Sequence, residues 1–115
     1  AQVISLGDTV DEAVTPERYG GLKALCEEAA EAAMPGRVAT VRAGMIVGPF
    51  DPTDRFTFWV RRVSRGGTIP VPEPQDRPMQ LVHAGDLAAC VLRLADAWTA
   101  GPCNASCPGP PYRFG

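Results

Sequence analysis

The residues best suited to chemistry are Tyr19 and Lys23, in the run Tyr19-Gly20-Gly21-Leu22-Lys23. Four residues apart on a helix, their side chains share a face one turn apart. An ammonium beside a phenol favours the phenolate, and such a tyrosine can pass a proton to or from a carbonyl or hydroxyl group. Read alone, the spacing is that of an amphipathic surface pair, so its meaning rests on what surrounds it. His83, the only histidine, ends an apolar run and reads as a structural hydrogen-bonding residue rather than a catalyst. Phe56, Trp59, Val60 and Val63 recur at i, i+3, i+4 and i+7, the stripe of a helix facing a core. The alternative for Phe56, Phe58 and Trp59 is the wall of a substrate pocket. Arg61, Arg62 and Arg65 form the solvated side of the same helix, with an anion-binding role the alternative. Of the 4 cysteines, Cys26 and Cys90 read as small buried hydrophobes, while Cys103 and Cys107 lie in a Pro/Gly-rich tail. A structural zinc takes about four ligands, commonly as close Cys pairs. One loose pair and one His fall short of that, and no metal site is expected.

The elements that must position these residues follow from local signals. Residues 1–14 read as a short extended piece and a loop. Thr15-Pro16-Glu17 starts a helix, with Thr as N-cap, Pro at the first helical position and Glu at the positive end. The spacing predicts a helix over 16–33, ended by Pro35-Gly36. A strand follows over 38–42, and Met45-Ile46-Val47 continues the apolar run beyond a glycine. Gly48-Pro49-Phe50-Asp51-Pro52 is a turn cluster. Asp54 is placed to cap a second helix that Gly66-Gly67 stops. Short strands are expected over 68–71 and 79–82. Asp86 is placed to cap a third helix, with Leu87, Val91, Leu94 and Trp98 on one face. A last strand lies near 103–106, and residues 108–115 carry no pattern and should fray. Helices alternating with short apolar strands argue an α/β fold, and too few strands for a covered parallel sheet argue a piece of a larger one.

Beyond Tyr19 and Lys23 stand Val38-Ala39-Thr40-Val41-Arg42-Ala43-Gly44-Met45-Ile46-Val47-Gly48-Pro49 and Leu81-Val82-His83-Ala84-Gly85-Asp86-Leu87-Ala88, followed by Cys103-Asn104-Ala105-Ser106. In this order they resemble the extended, epimerase/dehydratase-like branch of the short-chain dehydrogenase/reductase superfamily, over residues 19–109. The resemblance implies the C-terminal part of a Rossmann-type NAD(P)-binding domain plus a small α/β substrate-binding lobe. On that division residues 1–50 carry the Tyr-Lys helix, 51–107 form the lobe and 108–115 are an irregular tail. It implies an NAD(P)-dependent oxidoreductase or epimerase acting on a small hydroxyl or carbonyl substrate. Tyr19 would be the general acid/base. Lys23 would hold the nicotinamide ribose hydroxyls and tune Tyr19, and the backbone of Ala43, Gly44, Met45 and Ile46 would lie beside the nicotinamide. The cofactor would be NAD or NADP. A homodimer through the Tyr-Lys helix is a further implication, since Leu22, Leu25, Cys26, Ala29, Ala30 and Ala33 give that helix two apolar stripes. The alternative is a non-catalytic NAD(P)-sensing or scaffolding protein of the same fold.

The chain departs from that family in places. Ala43 stands where proline is usual. Met79 stands where sugar-nucleotide enzymes carry arginine, with Arg77 two residues earlier on the same strand face if the strand extends so far. No Gly-rich dinucleotide-binding turn occurs in the 115 residues, and the chain begins with Ala1 rather than Met. Both point to a fragment of a longer chain. The Ser or Thr that assists the tyrosine is unassigned, with Ser5 and Thr9 the upstream hydroxyls. With 45% hydrophobic and 21% charged residues and a net charge of −2, the composition is ordinary for a globular chain. No basic block suggests nucleic acid, no apolar stretch suggests a membrane span, and a reduced cytoplasmic setting fits the cysteines.

Overall fold

A computed structural model describes residues 14–114, a mixed α/β arrangement. Its elements are α1 (Pro16–Ala33), β1 (Ala39–Ala43), β2 (Met45–Val47), α2 (Thr57–Ser64), β3 (Leu81–His83), α3 (Ala84–Asp96) and β4 (Gly101–Ala105). The expectation for the opening extended piece, and Ser5 and Thr9 with it, lies outside the described residues.

α1 forms where its signals place it. The Thr15 side chain accepts from the Arg18 amide, Pro16 opens the helix and Glu17 sits in the first turn. Backbone and Thr15 hydrogen bonds hold the Glu17 carboxyl below the usual range. After Ala33 the Met34 amide still reaches Ala30, and Gly36 takes a left-handed turn at φ 70.

β1 and β2 are nearly one strand divided at Gly44, and each half pairs in parallel with a different neighbour. β1 pairs with β4 in the register Ala39↔Gly101 to Ala43↔Ala105. β2 pairs with β3 in the register Met45↔Leu81 to Val47↔His83. Consecutive amides of an extended chain point to opposite sides, and here the change of partner uses this. The Gly44 amide donates to Ala105 O at 2.9 Å and the Met45 amide to Gln80 O at 2.8 Å. A Cβ on Gly44 would stand 2.7 Å from that same Gln80 oxygen, so only glycine lets the strands meet at this point.

α3 lies over β1, β2 and β3. Its half-buried residues Leu87, Cys90 and Leu94 recur at helical spacing. The buried hydrophobic side chains among the described residues are Leu81, Val82 and Ala105, on the strands flanking the divided one.

Several sequence expectations give way. Asp54 does not cap α2. It adopts φ 51, its carbonyl accepts from the Phe58 amide, and its carboxylate pairs with Arg61 at 3.5 Å. Asp86 does not cap α3 either, because the His83 Nδ1 accepts from the Gly85 amide at 3.1 Å. No strand forms over 68–71. Pro70 and Pro72 remove alternate amide donors there, and the Thr68 carbonyl is taken by Arg62. Arg62 therefore ties the end of α2 to the next segment rather than simply facing solvent. Arg77 is in a turn closed on Pro74 O, so it shares no strand face with Met79. α3 ends at Asp96, and Trp98 falls in a left-handed turn at φ 50, 87% exposed, instead of extending the apolar face. The Phe56, Val60 and Val63 stripe is exposed, so it does not face a core among the described residues. Cys26 is exposed and Cys90 half-buried.

The tail does not fray over its described length. Met79 and Tyr112 exchange both backbone hydrogen bonds, at 2.8 and 3.1 Å, and the Phe114 amide donates to Gln75 O. The Phe114 ring meets Trp59 edge-on, with centroids 4.8 Å apart.

Candidate functional site

Tyr19 and Lys23 stand one turn apart on α1, as the spacing requires. The helix buries Gly21 between them, and Tyr19 is 58% exposed with Lys23 also exposed. Among the described residues the two side chains make no hydrogen bond to each other. The charge of Lys23 does reach Glu27, one turn further on. Glu27 in turn anchors the helix. Arg42 of β1 donates from Nε at 3.1 Å and from Nη2 at 2.6 Å to the Glu27 carboxylate. These hydrogen bonds hold Glu27 below the usual carboxylate range against partial desolvation, with the Arg42 and Lys23 charges adding to the effect. The same pairing raises Arg42 above the ordinary guanidinium value. The Tyr-Lys helix is thus fixed to the strand that leads into residues 43–46.

Of those four, Ala43 ends β1 and is exposed, while Gly44 is the point of divergence. Met45 and Ile46 begin β2, and Met45 is half-buried. Met45 faces a cleft of about 460 Å³ that it lines with Thr53, Asp54, Arg55, Phe58, Trp59 and Met79. Tyr19 and Lys23 do not line it. Phe58 and Trp59 form an edge-to-face pair with centroids 5.2 Å apart, and Trp59 also meets Phe114. Phe58 and Trp59 line this cleft. Phe56 does not join them.

The polar residues lining the cleft are Thr53, Asp54 and Arg55, of which the sequence analysis names Asp54 alone, as a helix cap. A signal for it existed. Phe58 falls off the Phe56–Trp59–Val60–Val63 stripe, and an apolar ring on the polar side of a helix asks for a partner outside the core. Asp51 shapes the loop: its Oδ1 accepts from the Thr53 amide at 2.9 Å and from the Thr53 hydroxyl at 2.5 Å. These bonds, then the Arg55 charge, keep its carboxyl below the usual range.

His83 links the parts structurally. Its ring caps α3, and a Cβ on Gly48 would stand 3.2 Å from its Nε2. Gly48 has φ 145, which suits glycine and lets the turn pass close over the imidazole. Cys103 lies in β4 and Cys107 just beyond it. Among the described residues no three His, Cys, Asp or Glu side chains gather as a metal site would need. No helix among them is long and apolar enough to cross a membrane.

The fold and site define an α/β chain in which a divided parallel strand runs from a charged helix anchor to an aromatic cleft. No family model, curated protein or solved structure matches the chain.

Proposed function

We propose that the chain is the C-terminal part of an NAD(P)-dependent oxidoreductase or epimerase of the extended short-chain dehydrogenase/reductase type, working in the cytoplasm on a small hydroxyl or carbonyl substrate. The observation that carries this reading is the strand divided at Gly44. It follows the Tyr-Lys helix, is tied to it by Glu27 and Arg42, and leads directly into residues 43–46. A Rossmann-type sheet extended beyond β1 and β4 would complete the cofactor side. The cofactor would supply the hydride chemistry. Tyr19 would donate or accept the proton at the substrate oxygen. Lys23 would bind the ribose hydroxyls and keep positive charge near Tyr19. Residues 43–46 would present backbone to the nicotinamide.

The second reading, a non-catalytic NAD(P)-sensing or scaffolding protein, is favoured by the exposure of Tyr19 and its lack of a hydrogen bond to Lys23. The two separate on one experiment. The longer protein that contains this chain should oxidise NADH or NADPH in the presence of a carbonyl substrate, and Tyr19→Phe should remove at least about 10²-fold of the turnover. Tyr19→Phe turnover above about half of wild type would overturn the general acid-base role, whose loss is expected to cost far more than that.

A further inference from the structure

We propose that the cleft between β2 and α2 takes a molecule with a flat apolar body and an anionic head, in the simplest case an aromatic carboxylate. Binding here does not depend on the enzymatic reading above, since Tyr19 and Lys23 do not line the cleft. The apolar lining of the site is Met45, Phe58, Trp59 and Met79. Edge-to-face packing of Phe58 on Trp59, and of Trp59 on Phe114, holds the indole by contacts on both sides. A third ring entering beside Met45 meets polarisable sulfur and aromatic carbon, both suited to a flat partner. At about 460 Å³ the cleft is within the about 300–1,000 Å³ of small-molecule sites.

The charge at the mouth selects the head. Asp54 forms an exposed ion pair with Arg61, which offsets part of its charge. Arg55 is the cation that lines the cleft itself. It spends its Nε on the Thr53 hydroxyl at 3.0 Å, and among the described residues its two terminal amino groups donate to nothing. Thr53 is in turn fixed by Asp51. The Arg55 charge also acts on Asp51, and its two terminal amino groups are left to receive a carboxylate in the paired geometry that such groups favour.

The test is a titration of the full chain carrying Trp98→Phe, which leaves Trp59 as its one tryptophan. Trp59 fluorescence is followed against benzoate, benzyl alcohol and acetate. Benzoate should give a saturable change, with benzyl alcohol about tenfold weaker for want of the charged hydrogen bonds and acetate weaker still for want of a ring. Arg55→Gln should bring benzoate to within about twofold of benzyl alcohol, and Arg55→Lys should keep part of the difference. Phe58→Ala should weaken both aromatic ligands alike. The proposal is overturned by no saturable response to benzoate, by acetate binding as well as benzoate, or by a preference for benzoate that survives Arg55→Gln. No cofactor or turnover enters this titration, so its failure leaves the Tyr19 reading standing. Loss of that reading by the Tyr19→Phe assay would leave the binding result intact.

Discussion

At the scale of single residues, Lys23 and Gly44 make separable demands. In the functional reading Lys23 has two jobs, ribose binding and holding positive charge near Tyr19. Lys23→Ala should therefore weaken cofactor binding and slow turnover together, whereas Tyr19→Phe should leave cofactor affinity nearly unchanged. Lys23→Arg keeps charge but exchanges a compact ammonium for a planar fork, and should rescue only in part. The double variant Tyr19→Phe/Lys23→Ala should lose less turnover than the sum of the singles, because the two act as a unit. Steady-state kinetics with a cofactor titration measures all of these, and additive losses would show that the pair does not act together. Gly44 answers to sterics instead. An added methyl would meet the backbone carbonyl of Gln80 at 2.7 Å, and a backbone atom cannot swing aside as a side-chain end can. Gly44→Ala should destabilise the fold by about 1–3 kcal/mol, the usual cost of overpacking. A melt of Gly44→Ala matching wild type would show that β2 and β3 separate at little cost.

At the scale of elements, the hold of α1 on β1 is electrostatic. Glu27 and Arg42 are both partly exposed, with side-chain exposures of 25% and 37%, so salt and pH should act on them. The sign follows from the direction of the shift. Glu27 in the folded chain titrates below its ordinary value, so its contribution is complete above the ordinary carboxylate range. It is lost as pH falls through the lowered folded value. The melting temperature of wild type should exceed that of Glu27→Gln at neutral pH, and the gap should close in acid. A gap that stays constant into acid would assign the stabilisation to packing of the Glu27 stem rather than its charge. The tail is held differently, by the Met79–Tyr112 bridge and the Phe114 ring, contacts that no local pattern of residues 108–115 announces.

At the scale of the whole molecule, the apolar residues outnumber the places that bury them. Among the described residues Leu81, Val82 and Ala105 are buried, while Val60, Val63, Leu92 and Trp98 are exposed. An exposed apolar stripe on α2 and an exposed indole favour association. The 115-residue chain by itself should self-associate as its concentration rises. Light scattering that reports a monomer across a hundredfold range of concentration, on the order of micromolar to near-millimolar, would contradict this, since such association depends on mass action.

What the sequence determined by itself is local. Thr15-Pro16-Glu17 and Pro35-Gly36 set both ends of α1, because capping and breaking use neighbours within one turn. The strands expected over 38–42, 45–47, 79–82 and near 103–106 became β1, β2, β3 and β4, with boundaries shifted by at most a residue or two, as extended pairing tolerates at its ends. The one-turn spacing of Tyr19 and Lys23 was equally legible. The tertiary structure decided what depends on distant partners. It paired the two halves of one strand with β4 and β3, a choice made where Gln80 and Ala105 accept successive amides. It gave the α3 cap to His83 rather than Asp86, because the imidazole at the end of β3 already stood within reach of the Gly85 amide. It also brought Arg55, Phe58 and Met45 around one cleft from a loop, a helix and a strand. Hydrogen bonds within a turn are written in adjacent residues, but burial and pairing are written only in the whole arrangement, where each surface is settled by what comes to cover it.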